Sequence, residues 1–294
     1  MTTHNWFLSL AASAARMMPD GVKRTIYRVK PLARVLRGAL NRAAPQGLTT
    51  VTIAAGQLAG LRMELDMQAE KDYWLGTYEL DLQACLAEYS RAGMVAFDVG
   101  ANIGYVSLLL AQATGPQGKV ISFEALPANL ERLRKNLTLN HLEERIEVVA
   151  AAVVDQPRPV QFLVGPSGAM GKAEGSAGRD SAWDGVSYNQ AIQVAGLSLD
   201  NFVYEESHPA PQIVKMDIEG GEVLALPGMR RLLQEARPIL LLELHGPQAA
   251  AIAWSELVNA RYQVRSMQPG YPRIPSEREL NWKSYLVAVP EDRS

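Results

Sequence analysis

Asp98, Gly100 and Gly104 fall within one short stretch, Val95 to Ser107, that reads VAFDVGANIGYVS. Its apolar opening suits a strand buried on both faces. The glycines suit a tight turn that leaves room for a ligand at the backbone, and Ser107 to Leu110 continue as a helix. A helix N-terminus at such a turn offers free N–H groups. The order Gly-x-Asn-x-Gly is not the dinucleotide fingerprint, and Asp98, two residues ahead of Gly100, would repel a pyrophosphate. S-adenosylmethionine has no phosphate and carries a sulfonium and an amino group, so the acid favours that methyl donor over NAD. Glu124 lies 24 residues beyond Gly100 at the end of a second apolar run. An acid at that position in a Rossmann-like sheet bonds the hydroxyls of an adenosine ribose.

Further acids recur where apolar runs end. Asp155 closes Arg145 to Val154 and would lie near an adenine. Asp217, Glu219 and Glu222 follow Ile213 to Met216 in the segment DIEGGE, and Glu243 and His245 follow Pro238 to Leu242. Such groups are costly to bury unless they serve a site or pair with one another. Methyl transfer to an alcohol needs a proton acceptor, and His245 and Asp217 are the candidates: imidazole titrates near neutral pH, and a carboxylate acts directly or orients it. The structural alternatives are a histidine that only caps a strand end and a turn whose glutamates only favour a helix N-terminus. These acids are also ligand types for a hard divalent ion. Acids grouped only along the sequence define no octahedral site, and no metal is expected.

The elements that must position these groups alternate. Strands are predicted at Val95 to Phe97, Lys119 to Phe123, Arg145 to Val154, Ile213 to Met216, Pro238 to Leu242, Tyr262 to Ser266 and Tyr285 to Val289. Helices are predicted after the glycine turn, at Pro127 to Leu139, after Glu222 and at Pro247 to Ala260. The pattern gives an α/β fold with a doubly wound, mostly parallel sheet, whose ligands bind beyond the carboxyl ends of the strands. Core residues 94–294 carry an insertion, 156–211, with possible strands at Val160 to Val164 and Gln190 to Val194, that otherwise reads as loops or a substrate cover. Residues 47–93 hold a hairpin and a helix. Between them DYWLGTYEL, Asp72 to Leu80, could form a lid with Tyr73, Trp74, Tyr78 and Glu79 toward a substrate, or could pack at a domain edge.

Residues 1–46 form a basic arm in which lysines and arginines face a single acid, Asp20. Its functional reading is peripheral contact with an anionic membrane; the plainer one, which is favoured, is a helix packing on the core. Trp6 to Ala15 is short and lacks a positive flank, so it does not read as a cleaved leader. The chain has 294 residues, 48% of them hydrophobic, and a net charge of −2. That suits one α/β core in a soluble protein and gives no overall pull toward nucleic acid. The lone Cys85 fits a reducing compartment, and no stretch is apolar for the length of a membrane span.

Five segments in order, YWLGTYE, FDVGANIGYVSLLLA, VISFEALPANLERLRKN, VKMDIEGGEVLALPG and ILLLELHG, make the chain resemble the FkbM family of S-adenosylmethionine-dependent methyltransferases from about Leu61 to Pro290. The resemblance implies a Rossmann-like class I methyltransferase fold with an antiparallel last strand. It puts Asp98, Gly100, Asn102 and Gly104 at the methionine end of the cofactor and Glu124 on its ribose. It also implies that Asp217, Glu219 and Glu222 line the methyl-transfer region, with His245 nearby. In that reading Asp217 adjoins both cofactor and chemistry, Glu219 joins the catalytic set, and Tyr78, Glu79 and Glu222 meet the substrate. The implied activity is methylation of a hydroxyl on a sugar, glycan or polyketide-type natural product by a cytoplasmic enzyme. The rivals are an NAD-dependent oxidoreductase and a non-catalytic binding module on the same fold.

Overall fold

Strands without a polar face have to be covered on both sides, and three such runs lie side by side here. They are β3 (Val95–Val99), β10 (Ile213–Met216) and β11 (Ile239–His245), each buried almost throughout. The computed structural model of the protein describes residues 13, 14, 17, 46–165, 170–177, 188 and 190–293. The basic arm lies almost wholly outside the described residues, as does most of the Gly/Ser-rich run at 166–189. The chain divides into two compact units, residues 1–83 with 135–141 and residues 84–134 with 142–294.

In the larger unit, β3, β10 and β11 pair in parallel, and β4 (Lys119–Glu124) and β5 (Ile146–Ala150) extend the sheet on the far side of β3. The full order is β12-β13-β11-β10-β3-β4-β5, with β12 (Tyr262–Ser266) at the edge. The last strand, β13 (Lys283–Pro290), runs antiparallel to both β11 and β12. This is the expected α/β arrangement, a doubly wound, Rossmann-like, mostly parallel sheet with an antiparallel last strand. Three phenylalanines from separate segments, Phe97, Phe123 and Phe202, meet edge to face at 5.2 to 6.0 Å in the core.

The registers bring the chemistry to one edge. Met216 is level with Val99 and with Leu242, and Val99 with Phe123. The next residues along are therefore Gly100, Asp217, Glu243 and Glu124, in a row at the carboxyl ends. Gly100 has φ +80°, and a Cβ built there would stand 2.0 Å from the backbone oxygen of Asp217. Gly104, at φ +92°, would meet Leu133 at 2.5 Å. These glycines are needed for close packing of the protein on itself. Gly100→Ala is expected to lower the free energy of unfolding by about 2 to 4 kcal/mol. Urea denaturation checks this, and a midpoint equal to that of the parent would show that the turn can shift.

Two expectations change. The run Arg145 to Val154 is not one strand: it breaks at Ala151, and Ala152–Val153 forms β6 in a different sheet. The insertion is in part a sheet rather than a loose cover, built on the two strands suggested there. β7 (Arg158–Val164) pairs with β8 (Gly171–Ala173) and β9 (Gln190–Leu197), and β6 completes a four-stranded sheet. Its apolar side closes on Leu126, Val154, Val160 and Phe162.

The smaller unit contains the expected hairpin, β1 (Leu48–Thr52) against β2 (Arg62–Asp66). Two glycines clasp it to the aromatic segment: a Cβ on Gly76 would lie 2.1 Å from the oxygen of Ala55, and one on Gly56 would lie 2.8 Å from Gly76. Tyr73 and Tyr78 pack ring to ring at 4.5 Å, and Gln83 donates to the carbonyl of Tyr78. Tyr78 and the left-handed Glu79, φ 43°, are both half-buried in this local packing.

Candidate active site

The turn after β3 is held from below. Asp98 is fully buried, and its carboxylate faces Lys215 Nζ at 3.3 Å. Lys215 also donates to the carbonyl of Gly100 at 3.0 Å. Ser107 Oγ donates to Asp98 Oδ2 at 2.6 Å, and Ser122 Oγ donates to Ser107 Oγ at 2.8 Å. A lysine and an aspartate level with each other on adjacent strands thus neutralise one another beneath the turn. The electrostatic argument built on Asp98 gains a second party, because its charge is met by Lys215 and the pair braces the backbone of the turn. Lys215 escaped notice in the sequence, although a lysine inside the buried run IVKM was the available signal.

Glu124 faces the turn from β4. Its Oε2 accepts from the amide of Asn102 at 2.8 Å, and its Oε1 from those of Ala125 and Leu126 at 3.0 and 2.8 Å. Burial raises its pKa, against the opposing pull of these amides. Asn102 itself sits at φ 50°, and its amide is drawn to the carboxylate. Glu124 therefore joins the glycine turn to the loop after β4. Asp155 is different: it is exposed, and although burial would raise its pKa, the bond and charge of Arg158 bring it below the usual range.

The remaining groups converge at the ends of β10 and β11. His245 Nε2 is 3.1 Å from Glu243 Oε1 and 3.6 Å from Glu219 Oε2, while its Nδ1 faces Glu222 Oε1 at 3.6 Å. An oxygen of Asp217 completes a group with Glu243 and His245 whose ligating atoms all lie within 4.8 Å of one another. Lys283, opposite His245 on β13, pairs with Glu243. That partner has no signature in the sequence, because only the antiparallel register delivers it.

Glu222 does not meet a substrate as expected. It is 0% exposed, accepts from the amide of Ile218 with Oε1, and has Oε2 buried without a hydrogen bond. Glu219 is the accessible acid, with a side chain 41% exposed. It holds φ 54°, a left-handed conformation that costs a non-glycine residue about 1 to 3 kcal/mol and is concentrated at functional sites.

Charge sets the state of this cluster. Burial alone would push the pKa of His245 down, but the Glu222 and Glu243 carboxylates lift it to about 10. Burial would likewise raise Glu243, yet His245 and Lys283 bring it below its ordinary value. A raised histidine stabilises the fold fully below its unfolded value of 6.5 and loses that contribution as pH climbs through about 10. In EDTA, unfolding free energy should fall by a few kcal/mol across that window, and His245→Gln should remove most of the slope. Equal slopes in both proteins would show that the ring is not held as an imidazolium.

A family described as the Methyltransferase FkbM domain matches residues 98–264. The chain is 26% identical over 167 residues to the hexuronic acid methyltransferase AglP of Haloferax volcanii, which covers 57% of this chain and 62% of that protein. It is 33% identical over 109 residues to a protein-L-isoaspartate O-methyltransferase of Methanothrix thermoacetophila, covering 31% of this chain and 51% of the relative. The chain thus spans about half to three fifths of these curated relatives. Among solved structures it is similar to the methyltransferase FkbM of Methylobacillus flagellatus, with TM-score 0.42 and 18% identity over 76% of this chain and 53% of that one.

Proposed function

The chain belongs to the FkbM methyltransferase domain family, and from that premise we propose that it transfers a methyl group to a hydroxyl of a sugar or glycan acceptor. One observation carries the reading: Gly100 of the turn and Asp217 of the acidic cluster are packed backbone to backbone, so a cofactor on that turn would lie beside the acids.

S-adenosylmethionine, the methyl donor of this family, supplies when bound an electrophilic methyl on a cationic sulfur. The residues present fit it. Lys215, under the turn, is engaged by Asp98 and the Gly100 carbonyl, so its charge is not offered to a pyrophosphate. The carboxylate of Glu124 is positioned for ribose hydroxyls, sharing Oε2 with the amide of Asn102. Gly100, Asn102 and Gly104 would hold the methionine end, Asp217 its inner side, and Asp155 the adenine side.

At the acceptor side, Glu219 takes the hydroxyl proton. Both ring nitrogens of His245 face carboxylates, which suits that ring to ordering the acids rather than to receiving the proton, and Asp217 sits nearer the turn. A site with Asp217, Glu219, Glu222 and Glu243 disfavours an anionic acceptor, so a neutral sugar hydroxyl suits it better than a free uronate. That the relative AglP is named for hexuronic acid supports the sugar class; a polyketide-type hydroxyl is the second choice. Nucleic acid is not an expected partner. A cytoplasmic location, with the basic arm as a contact for an anionic membrane, accords with a sequence that holds a single cysteine.

Calorimetric titration with S-adenosylmethionine, S-adenosylhomocysteine and NAD tests the cofactor half. The first two should bind and NAD should not, and Glu124→Ala should weaken binding about tenfold or more. NAD binding alone would overturn the reading in favour of an oxidoreductase, and no binding at all would favour a non-catalytic module. A panel of neutral sugars and polyketide-type alcohols, read by S-adenosylhomocysteine formation, then tests the acceptor.

A further inference from the structure

Asp217, Glu243 and His245 come from two different strand ends, and only the parallel register of β10 and β11 brings them together. Donors that share one metal ion at about 2.0 to 2.2 Å stand no more than about 4.4 Å apart. The three donor atoms here lie within 4.8 Å of one another, so the widest pair needs to close by only about half an ångström. His245 Nε2 and Glu243 Oε1, at 3.1 Å, already have the separation of neighbouring ligands.

The outer face of the imidazole gives a second, independent indication. Histidines that bind metals turn their other ring nitrogen to a carboxylate or carbonyl that fixes the ring. His245 Nδ1 faces Glu222 Oε1 at 3.6 Å, and Glu222 is wholly buried with Oε2 lacking any hydrogen bond. An inaccessible glutamate with an unmet oxygen, beside an acidic cluster, is costly unless a further positive charge compensates it. The fixed cation at hand, Lys283, pairs with Glu243 and lies over the Tyr285 ring.

We propose that Asp217, Glu243 and His245 Nε2 bind one divalent cation of the first transition series, which displaces the Nε2 proton to solvent, with Glu222 as the carboxylate behind the histidine. An imidazole among carboxylates suits such an ion better than Mg²⁺, which favours oxygen ligands throughout. The ion would enter beside Glu219 and hold the acceptor hydroxyl oxygen, leaving Glu219 to take its proton. Two oxygens of a vicinal sugar diol could fill the open positions. This last role rests on the methyl-transfer reading, whereas the binding site itself does not.

The test is titration of the full chain, freed of metal with EDTA and dialysed, with MnCl₂ alone, following loss of the free Mn²⁺ electron paramagnetic resonance signal. One saturable site is expected, with affinity reduced about tenfold or more in Glu243→Gln and in Asp217→Asn. Lys283→Met removes the competing ammonium and should tighten Mn²⁺ binding severalfold, an effect that general loosening of the fold would not produce. Absence of saturable binding in the parent, or unchanged affinity in Glu243→Gln, overturns the site. If Glu243→Gln does not fold, Lys283→Met decides: unchanged or weaker binding overturns it. S-adenosylmethionine affinity, measured on the same metal-free protein, separates failure of this site from failure of the methyltransferase reading.

Discussion

Lys215→Met should cost about 3 to 5 kcal/mol of stability, because it strands a buried charge. Asp98 is 0% exposed and the Lys215 side chain 7%, so water cannot replace the missing partner. The effect should also reach the cofactor site, since the same ammonium holds the Gly100 carbonyl. Asp98→Asn alone should be nearly as damaging, leaving the ammonium unpaired against a carbonyl. The double variant should recover much of the loss, because replacing both members of a buried pair is often near neutral. Urea denaturation of the four proteins gives the coupling energy directly. Coupling below about 0.5 kcal/mol would mean that the two charges are independent, and the brace beneath the turn would have to be abandoned. S-adenosylmethionine titration of the double variant separates stability from binding: a restored fold with weak binding would assign the Lys215–Gly100 bond to the turn itself.

That pair also marks where sequence reading stops. The strands of the sheet were legible because their burial on both faces makes them apolar runs, and strand-end acids stand out against such runs. Glu124 and the segment from Asp217 to Glu222 were found in this way. What a charge faces, however, depends on the neighbouring strand. Nothing local reveals that Asp98 is level with Lys215, or that Lys283 crosses to Glu243 from the far end of the chain. The four-stranded sheet was legible only as two possible strands, and their pairing was missed for a related reason. Its main pair, β7 and β9, is separated by the Gly/Ser-rich run, and the exposed residues interspersed along β9 weaken the apolar signal. The break after Ala150 is invisible in a continuous run of small and branched residues; it shows only when Ala152 pairs with Gly196 instead of with the main sheet. Glu222 illustrates the converse. Its type and spacing suited a substrate contact, but its position at the start of a short helix turns it inward.

Glu219 is where stability and turnover should separate most sharply. Its backbone, at φ 54°, is one that glycine adopts freely and glutamate does not. Glu219→Gly should therefore leave stability unchanged or raise it by up to about 1 kcal/mol. The same change removes the exposed acid of the cluster, and loss of a general base typically costs about 10² to 10⁴ in rate. Glu219→Gln keeps the side-chain length and most of its packing but not its basicity, so it should lose as much in kcat while S-adenosylmethionine affinity stays level. Initial rates of S-adenosylhomocysteine formation, with the first neutral sugar that turns over, measure both variants. If Glu219→Gln retained the parent rate and Asp217→Asn lost it, the proton would pass to Asp217, and the strain at Glu219 would have to be attributed to the turn alone. If both retained it, no carboxylate at this edge would be the acceptor. A stable, cofactor-binding and inactive Glu219→Gly protein would instead mean that the left-handed glutamate is kept at an energetic cost for chemistry, since glycine would otherwise serve the turn as well.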